Sequence, residues 1–236
     1  MSESSTHRLA IFGATGRTGR KLLALSDSKG LQANVLARVP ESLGNLRNPP
    51  AVTKGTITDP QAVETVVAGS DSVLSALGRD KASPPDLMAV AARNMVTAMN
   101  KLGIRRIILL TNTAVADPTD APSLQHKVLR AVLSASNGGL KRDSAAAAKI
   151  VTESGLDWTL VRAPILTDGP KTGAYHVGRL DGKIPLRVSR ADVAEFMLSC
   201  VLDGRYVREM PAIGGVAGSP VEAKSVESNT SGSIVL

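Results

Sequence analysis

At 236 residues the chain is long enough for one sizeable α/β domain, and its 43% hydrophobic content supports a core that, with 2% aromatic residues, must be built from Leu, Val, Ile and Ala. The net charge of +7 is scattered, with no basic run interleaved with aromatics, which argues against a nucleic-acid partner; a polyanionic ligand accounts for part of the excess. One cysteine, Cys200, excludes an intramolecular disulfide and a cysteine-built metal site, and no run nears the ~20 apolar residues of a membrane span, so a cytoplasmic protein is expected.

An apolar run at 9–12 reads as a strand and leads into Gly13-Ala14-Thr15-Gly16-Arg17-Thr18-Gly19, after which helical spacing at Leu22, Leu23 and Leu25 runs to a stop at Gly30. Glycines at every third position between a strand and a helix allow a tight turn and close approach of the backbone to a pyrophosphate, whose charge then meets free N–H groups at a helix N-terminus. Such turns also arise for steric reasons alone. The added weight here comes from the βα alternation that continues behind it. The second strand, 33–38, ends on a cation. No Asp or Glu stands between Gln32 and Pro40 to take a ribose 2′-OH, whereas Arg38, with Arg17 in the turn, suits a 2′-phosphate. NADP is therefore favoured over NAD, a solvated surface arginine being the plainer alternative.

A short strand at 51–57, a helix started by Asp59-Pro60 and running over 61–68, and a strand at 72–77 ending in Gly78-Arg79 keep the rhythm. A stripe of Leu87, Val90, Ala91, Met95, Ala98, Met99 and Leu102 marks a buried helix closed by Gly103. The strand at 104–110 delivers Thr111-Asn112-Thr113 to the carboxyl edge of the sheet. There, hydroxyl and amide groups either hold an acceptor carbonyl or the nicotinamide amide, or end the strand as ordinary turn residues. Two helical stretches, 124–135 and 143–153, flank Asn137-Gly138-Gly139, a break with the character of a lid. After a strand at 156–161 the alternation lapses into a loop at 167–173 and short strand candidates at 174–177 and 184–188. A helix capped by Ser189 then runs to Leu202. From Gly214 onward periodicity is absent, so a loosely held tail at 215–236 is expected behind a domain at 1–214. The expected fold is α/β, a doubly wound parallel sheet with a small C-terminal substrate-binding insertion at about 164–190.

Ala10-Ile11-Phe12-Gly13-Ala14-Thr15-Gly16, the strand end Val35-Leu36-Ala37-Arg38, Ala92-Arg93-Asn94, Ser154-Gly155-Leu156-Asp157-Trp158 and Ser189-Arg190-Ala191-Asp192-Val193-Ala194 resemble the NAD(P)H-binding, NmrA-like branch of the atypical short-chain dehydrogenases/reductases. Thr172-Gly173-Ala174-Tyr175, Leu180-Asp181-Gly182 and Phe196-Met197-Leu198-Ser199-Cys200 are similar to the flavin reductase, or biliverdin-IXβ reductase, group within it. The resemblance implies a single Rossmann-type domain with NADPH across the carboxyl edge of the sheet and a flat conjugated acceptor for its hydride. It implies that Gly13, Ala14, Thr15, Gly16, Arg17, Thr18 and Gly19 cradle the phosphates and that Arg38 takes the 2′-phosphate. Ala76, Leu77 and Gly78 would pass near the adenosine ribose and pyrophosphate, and Thr111, Pro164 and Ile165 would flank the nicotinamide.

Ketone-reducing members of the superfamily use Tyr-x-x-x-Lys, the Lys lowering the Tyr pKa so that the phenol donates a proton. Tyr175 and Tyr206 have Arg179 and Met210 four residues on, and the family's Lys and Tyr positions fall near Ser144 and Leu140. This departure favours a flavin or tetrapyrrole acceptor, whose proton can come from solvent. It equally fits an NADP-sensing regulator without turnover, and a biosynthetic reductase or isomerase of the same fold is a third reading. Asn112, with Thr111, is the candidate at the reacting end, since its amide orients a carbonyl but cannot act as an acid. His7, His126 and His176 have no ligand spacing, so no metal is expected; His126 reads as part of a polar helix start, Lys149 as a solvated helix residue and Cys200 as a buried inert thiol. A monomer or weak homo-oligomer is expected.

Overall fold

The computed structural model describes residues 7–80, 82–128, 131 and 138–216. Short apolar runs form β1 (Arg8–Phe12), β2 (Gln32–Ala37), β3 (Ala51–Lys54), β4 (Ser72–Ser75), β5 (Arg106–Asn112) and β6 (Asp157–Ala163). All but the outer strand β3 are largely buried, because the intervening helices cover both faces. These helices are α1 (Arg17–Ser28), α2 (Pro60–Val67), α3 (Leu87–Leu102), α4 (Gly138–Thr152) and α5 (Arg190–Leu202). Three short strands, β7 (Ile165–Thr167), β8 (Tyr175–Gly178) and β9 (Arg187–Ser189), and a last one, β10 (Ala212–Gly215), complete the sheets.

The strand order is β3-β2-β1-β4-β5-β6-β10-β8, parallel except for the antiparallel pair β10–β8. Its first six members have the order of a Rossmann-like dinucleotide-binding sheet, in which the connections reverse direction between β1 and β4. One core, under α1 and α5, is lined by Leu22, Leu74, Ile108 and Met197; the other, under α2, α3 and α4, by Phe12, Val63, Met95 and Leu160.

Local signals set several element ends as expected. Asp59 accepts from the N–H groups of Gln61 and Ala62 at 3.0 and 3.3 Å with Pro60 in the first turn of α2, and Gly103 closes α3 in the left-handed region at φ 72°. The start of α3 is different. Asp86 makes no cap bond there. Instead Asp143, from α4, accepts from the N–H groups of Met88 and Ala89 at 3.0 Å each.

Four expectations are corrected. Gly214 and Gly215 do not begin a loose tail: they belong to β10, and a Cβ on Gly214 would lie 2.5 Å from the Pro185 carbonyl oxygen. Glycine is there because two backbones cross; from 217 the expected tail lies outside the described residues. Gly138 and Gly139 are the first residues of α4 rather than a flexible break, and Asn137 lies outside the described residues. Finally, β5 extends two residues past Leu110, because its pairing with β6 continues to Asn112 opposite Ala163, and Thr167, expected in a loop, pairs with Ser189 in the small β7–β9 sheet.

Candidate dinucleotide site at the carboxyl edge of the sheet

A cleft of about 830 Å³ opens where the connections behind β1 and β4 diverge. Gly13, Thr15, Gly16, Arg17 and Thr18 form one wall, Ala76, Leu77, Gly78 and Arg79 the opposite one, and Arg38 stands at the end of β2. The walls are set by backbone contact. Gly13 has φ 78°, and a Cβ on it would sit 2.8 Å from the carbonyl carbon and oxygen of Ala76. A Cβ on Gly19 would sit 1.9 Å from the Gly13 oxygen, so α1 is pressed directly onto the turn. The Gly16 N–H donates to that same oxygen at 2.9 Å. Gly16 caps α1 in extended backbone without a side-chain cap, and no acidic residue lies in the first turn. The positive end of α1 is therefore left for an outside anion.

Cations surround this cradle. Arg38 lies 4.0 Å from Asp80, both mostly exposed. The Asp80 carboxyl is held below its usual value first by the Ser83 hydroxyl and then, against some burial, by the Ala82 N–H and Arg38. Arg17 and Arg190 share Asp168, at 3.1 and 2.7 Å. Arg79 points the other way, with Nη1 3.7 Å from Asp143.

Beyond the cradle, the Asn112 amide is fixed at both ends: its Nδ2 donates to Ser144 Oγ at 3.1 Å and its Oδ1 accepts from the Ala114 N–H at 2.9 Å. Burial first, then the charges of Glu195 and Asp192, push the Tyr175 phenol pKa up, and its ring packs edge-on to Phe196 with centroids 6.0 Å apart. The surrounding segments are tied by buried carboxylates. Asp120 accepts from Arg162 Nη1 and Nη2 at 2.5 and 2.9 Å and from the Leu180 N–H at 3.2 Å. Asp192 accepts from the N–H groups of Thr172 and Gly173 at 2.8 and 2.9 Å and from Ser189 Oγ at 2.8 Å.

Of the residues singled out from sequence, Gly13, Thr15, Gly16, Arg17, Thr18, Arg38, Ala76, Leu77 and Gly78 line the one cleft. Ala14 is buried behind it and Gly19 packs beneath the turn. Thr111 and Asn112 end β5 and Pro164 and Ile165 enter β7; their chain neighbours Leu110 and Leu166, not these four, form the cleft wall. Arg79 and Arg190 line it and were missed. The signals were there: Arg79 directly follows Gly78 at the carboxyl edge, and Arg190 lies inside the Ser189–Ala194 motif. His126 stands in a helix start at 124–128, as expected, and is buried there, its Nδ1 2.8 Å from Ser123 Oγ. Lys149 is exposed and 3.9 Å from Glu153, as expected, and burial pushes the Cys200 thiol up to about 12. Among the described residues no helix is long and apolar enough to cross a membrane.

The sequence pattern of the NAD(P)H-binding family matches residues 13–204. Among solved structures the fold is shared with the oxidoreductase ylbE from Lactococcus lactis, at 18% identity over 89% of this chain and 91% of that one, TM-score 0.74. It is shared with ChuY, an anaerobilin reductase from Escherichia coli, at 21% identity over 91% and 100%, TM-score 0.73. A short-chain dehydrogenase/reductase from Veillonella parvula in complex with NADP matches at 17% identity over 90% and 96%, TM-score 0.70. Strand order, uncapped helix start and sequence pattern agree, and the chain belongs to the NAD(P)H-binding family.

Proposed function

We propose that the chain is an NADPH-dependent reductase of a planar conjugated acceptor, such as a flavin or a linear tetrapyrrole. The observation that carries this reading is the presence in one cleft of the open glycine turn and of Arg38, at a strand end that bears no carboxylate. NADPH, when bound, supplies the hydride. The residues of this chain bind and orient. The N–H groups at the start of α1, with Arg17, take the pyrophosphate, and Arg38 takes the 2′-phosphate. The exposed ion pair of Arg38 with Asp80 is weak enough for a phosphate dianion to displace. Ala76, Leu77 and Gly78 flank the adenosine ribose and pyrophosphate, Thr111, Pro164 and Ile165 flank the nicotinamide, and Asn112 orients the acceptor.

The acceptor class is supported by what stands at the reacting end. The Tyr175 phenol pKa is pushed up by burial, Arg179 rather than Lys stands four residues on, and Ser144 is engaged with Asn112, so a carbonyl needing an enzymic acid is poorly served. A conjugated acceptor that draws its proton from water is not, because orientation alone is worth on the order of 7 kcal/mol of barrier. The likeness of the fold to an anaerobilin reductase is consistent with this class.

The experiment is NADPH oxidation by the full chain with FMN or biliverdin as acceptor and NADH as control cofactor. Turnover with NADPH well above NADH is expected. Arg38→Glu weakens NADPH by about a hundredfold and NADH by less than about threefold, since a charge-assisted contact is replaced by a repulsion. Equal losses remove the NADP assignment, and tight NADPH binding with no oxidation by any acceptor turns the reading to a cofactor-sensing protein.

A further inference from the structure

The end of β2 bears no carboxylate of its own, yet one is brought to it from behind β4. Asp80 lines the cleft, and its Oδ2 stands 4.0 Å from Arg38 Nη2, an ion pair without a hydrogen bond. The carboxylate is not a loose surface group. Its Oδ1 accepts from Ser83 Oγ at 2.8 Å and from the Ala82 N–H at 3.0 Å, and the Asp80 N–H donates back to Ser83 Oγ at 3.0 Å. These bonds decide which oxygen is turned to Arg38, and they favour the ionised form, the Ser83 hydroxyl first.

A carboxylate held at this end of the cleft acts oppositely on the two nicotinamide cofactors. To a ribose 2′-OH it offers an acceptor, the part that an acidic residue at the end of the second strand plays in NAD-binding sheets. To a 2′-phosphate it presents a like charge, and a repulsion of this kind discriminates between ligands as surely as an attraction. Arg38 attracts the phosphate, while Asp80 pairs with that same guanidinium and repels the group that must take its place. On the functional reading above, on which this inference rests, Arg38 receives the 2′-phosphate. We infer that Asp80 sets how strongly the chain prefers NADPH, opposing the 2′-phosphate at Arg38 and accepting from the 2′-OH of NADH. The preference for NADPH is then smaller than Arg38 alone would give, and NADH is still bound.

Binding of NADPH and of NADH to the full chain, followed by the fluorescence of the reduced nicotinamide, tests this role without an acceptor. Asp80→Asn is the decisive variant, because its amide oxygen keeps the bonds to Ser83 and Ala82 and its NH2 takes the place of Oδ2. NADPH tightens about fivefold, the size of one exposed charge interaction, and NADH weakens about threefold as an acceptor becomes a donor. The NADPH gain fades at high salt. A parallel shift of both cofactors makes Asp80 a part of its own turn and overturns the role. So does the absence of any shift, and so does a weaker NADPH, which would make Asp80 the group that holds Arg38 for the phosphate. Failure of the functional reading looks different. Equal losses of NADPH and NADH in Arg38→Glu remove the 2′-phosphate from Arg38, and opposite shifts in Asp80→Asn then still place the carboxylate at the 2′ group. An Arg38→Glu loss selective for NADPH, beside parallel or absent shifts in Asp80→Asn, removes the role of Asp80 alone.

Discussion

Around the first turn, the contacts that shape the cleft are backbone against backbone: a Cβ on Gly19 would meet the Gly13 oxygen at 1.9 Å, and one on Gly13 the Ala76 carbonyl at 2.8 Å. At the other end the segments are held by side chains reaching across the chain, Arg162 to a carboxylate 42 residues away and Asp192 to Thr172 20 residues away. The first kind of contact tolerates no side chain and is indifferent to pH. The second depends on charge, and a substitution there leaves a buried partner stranded. A turn built by close approach and segments tied by buried carboxylates will therefore fail in different ways.

The largest effect is expected at the second kind. Asp120→Ala leaves the fully buried Arg162 without its carboxylate and should cost about 3–5 kcal/mol in denaturant unfolding. The same site gives the pH signature. Burial alone would raise the Asp120 carboxyl, but the hydrogen bonds from Arg162, then the Asp117 N–H, the Arg162 charge and the Leu180 N–H, outweigh it and hold the group below 3.8. A folded-state pKa lowered in this way stabilises the fold above the ordinary carboxylate value, and that contribution is lost as pH falls from 3.8 through the folded value. The stability gap between wild type and Asp120→Asn should narrow in that window and stay constant above it; a gap that persists unchanged into acid would remove the ion pair from the account.

Gly19→Ala comes next. The added methyl has only backbone to push against, so melting should reveal a loss of about 1–3 kcal/mol, constant between neutral and acid pH, together with loss of NADPH binding. A variant that keeps cofactor affinity would mean that the cradle is softer than its contacts imply. At the small end, Lys149→Met removes an exposed i,i+4 pair and should change stability by less than about 0.5 kcal/mol and leave acceptor KM untouched. A clear rise in KM would bring Lys149 into the acceptor site after all.

The cradle was legible because its signals are local. Glycine spacing, the cation closing β2 and the absence of a nearby carboxylate are all visible within residues 13–40, and the structure brings the corresponding side chains to one cleft. The caps of α2 and α3 at Asp59 and Gly103 were legible for the same reason. The far end was not. Arg79 stood in plain sight after Gly78, but its partner Asp143, 3.7 Å away, comes from α4 and also caps α3, a contact spanning 55 residues.

Residues 212–215 show the same limit from the side of the sheet. Two glycines in an aperiodic stretch read as slack chain, and they form a strand because Pro185 crosses at van der Waals contact and β6 and β8 both offer unpaired edges. Period, cap and turn chemistry act over three to four residues, so the chain's own pattern specified the alternation, the helix ends and the phosphate turn. Which arginines meet in the cleft, which carboxylates are already engaged and which edge strand closes the sheet depend on pairs far apart in the chain. Those pairs are brought together only when both faces of the sheet are buried, and that burial is a property of the packed molecule rather than of any stretch within it.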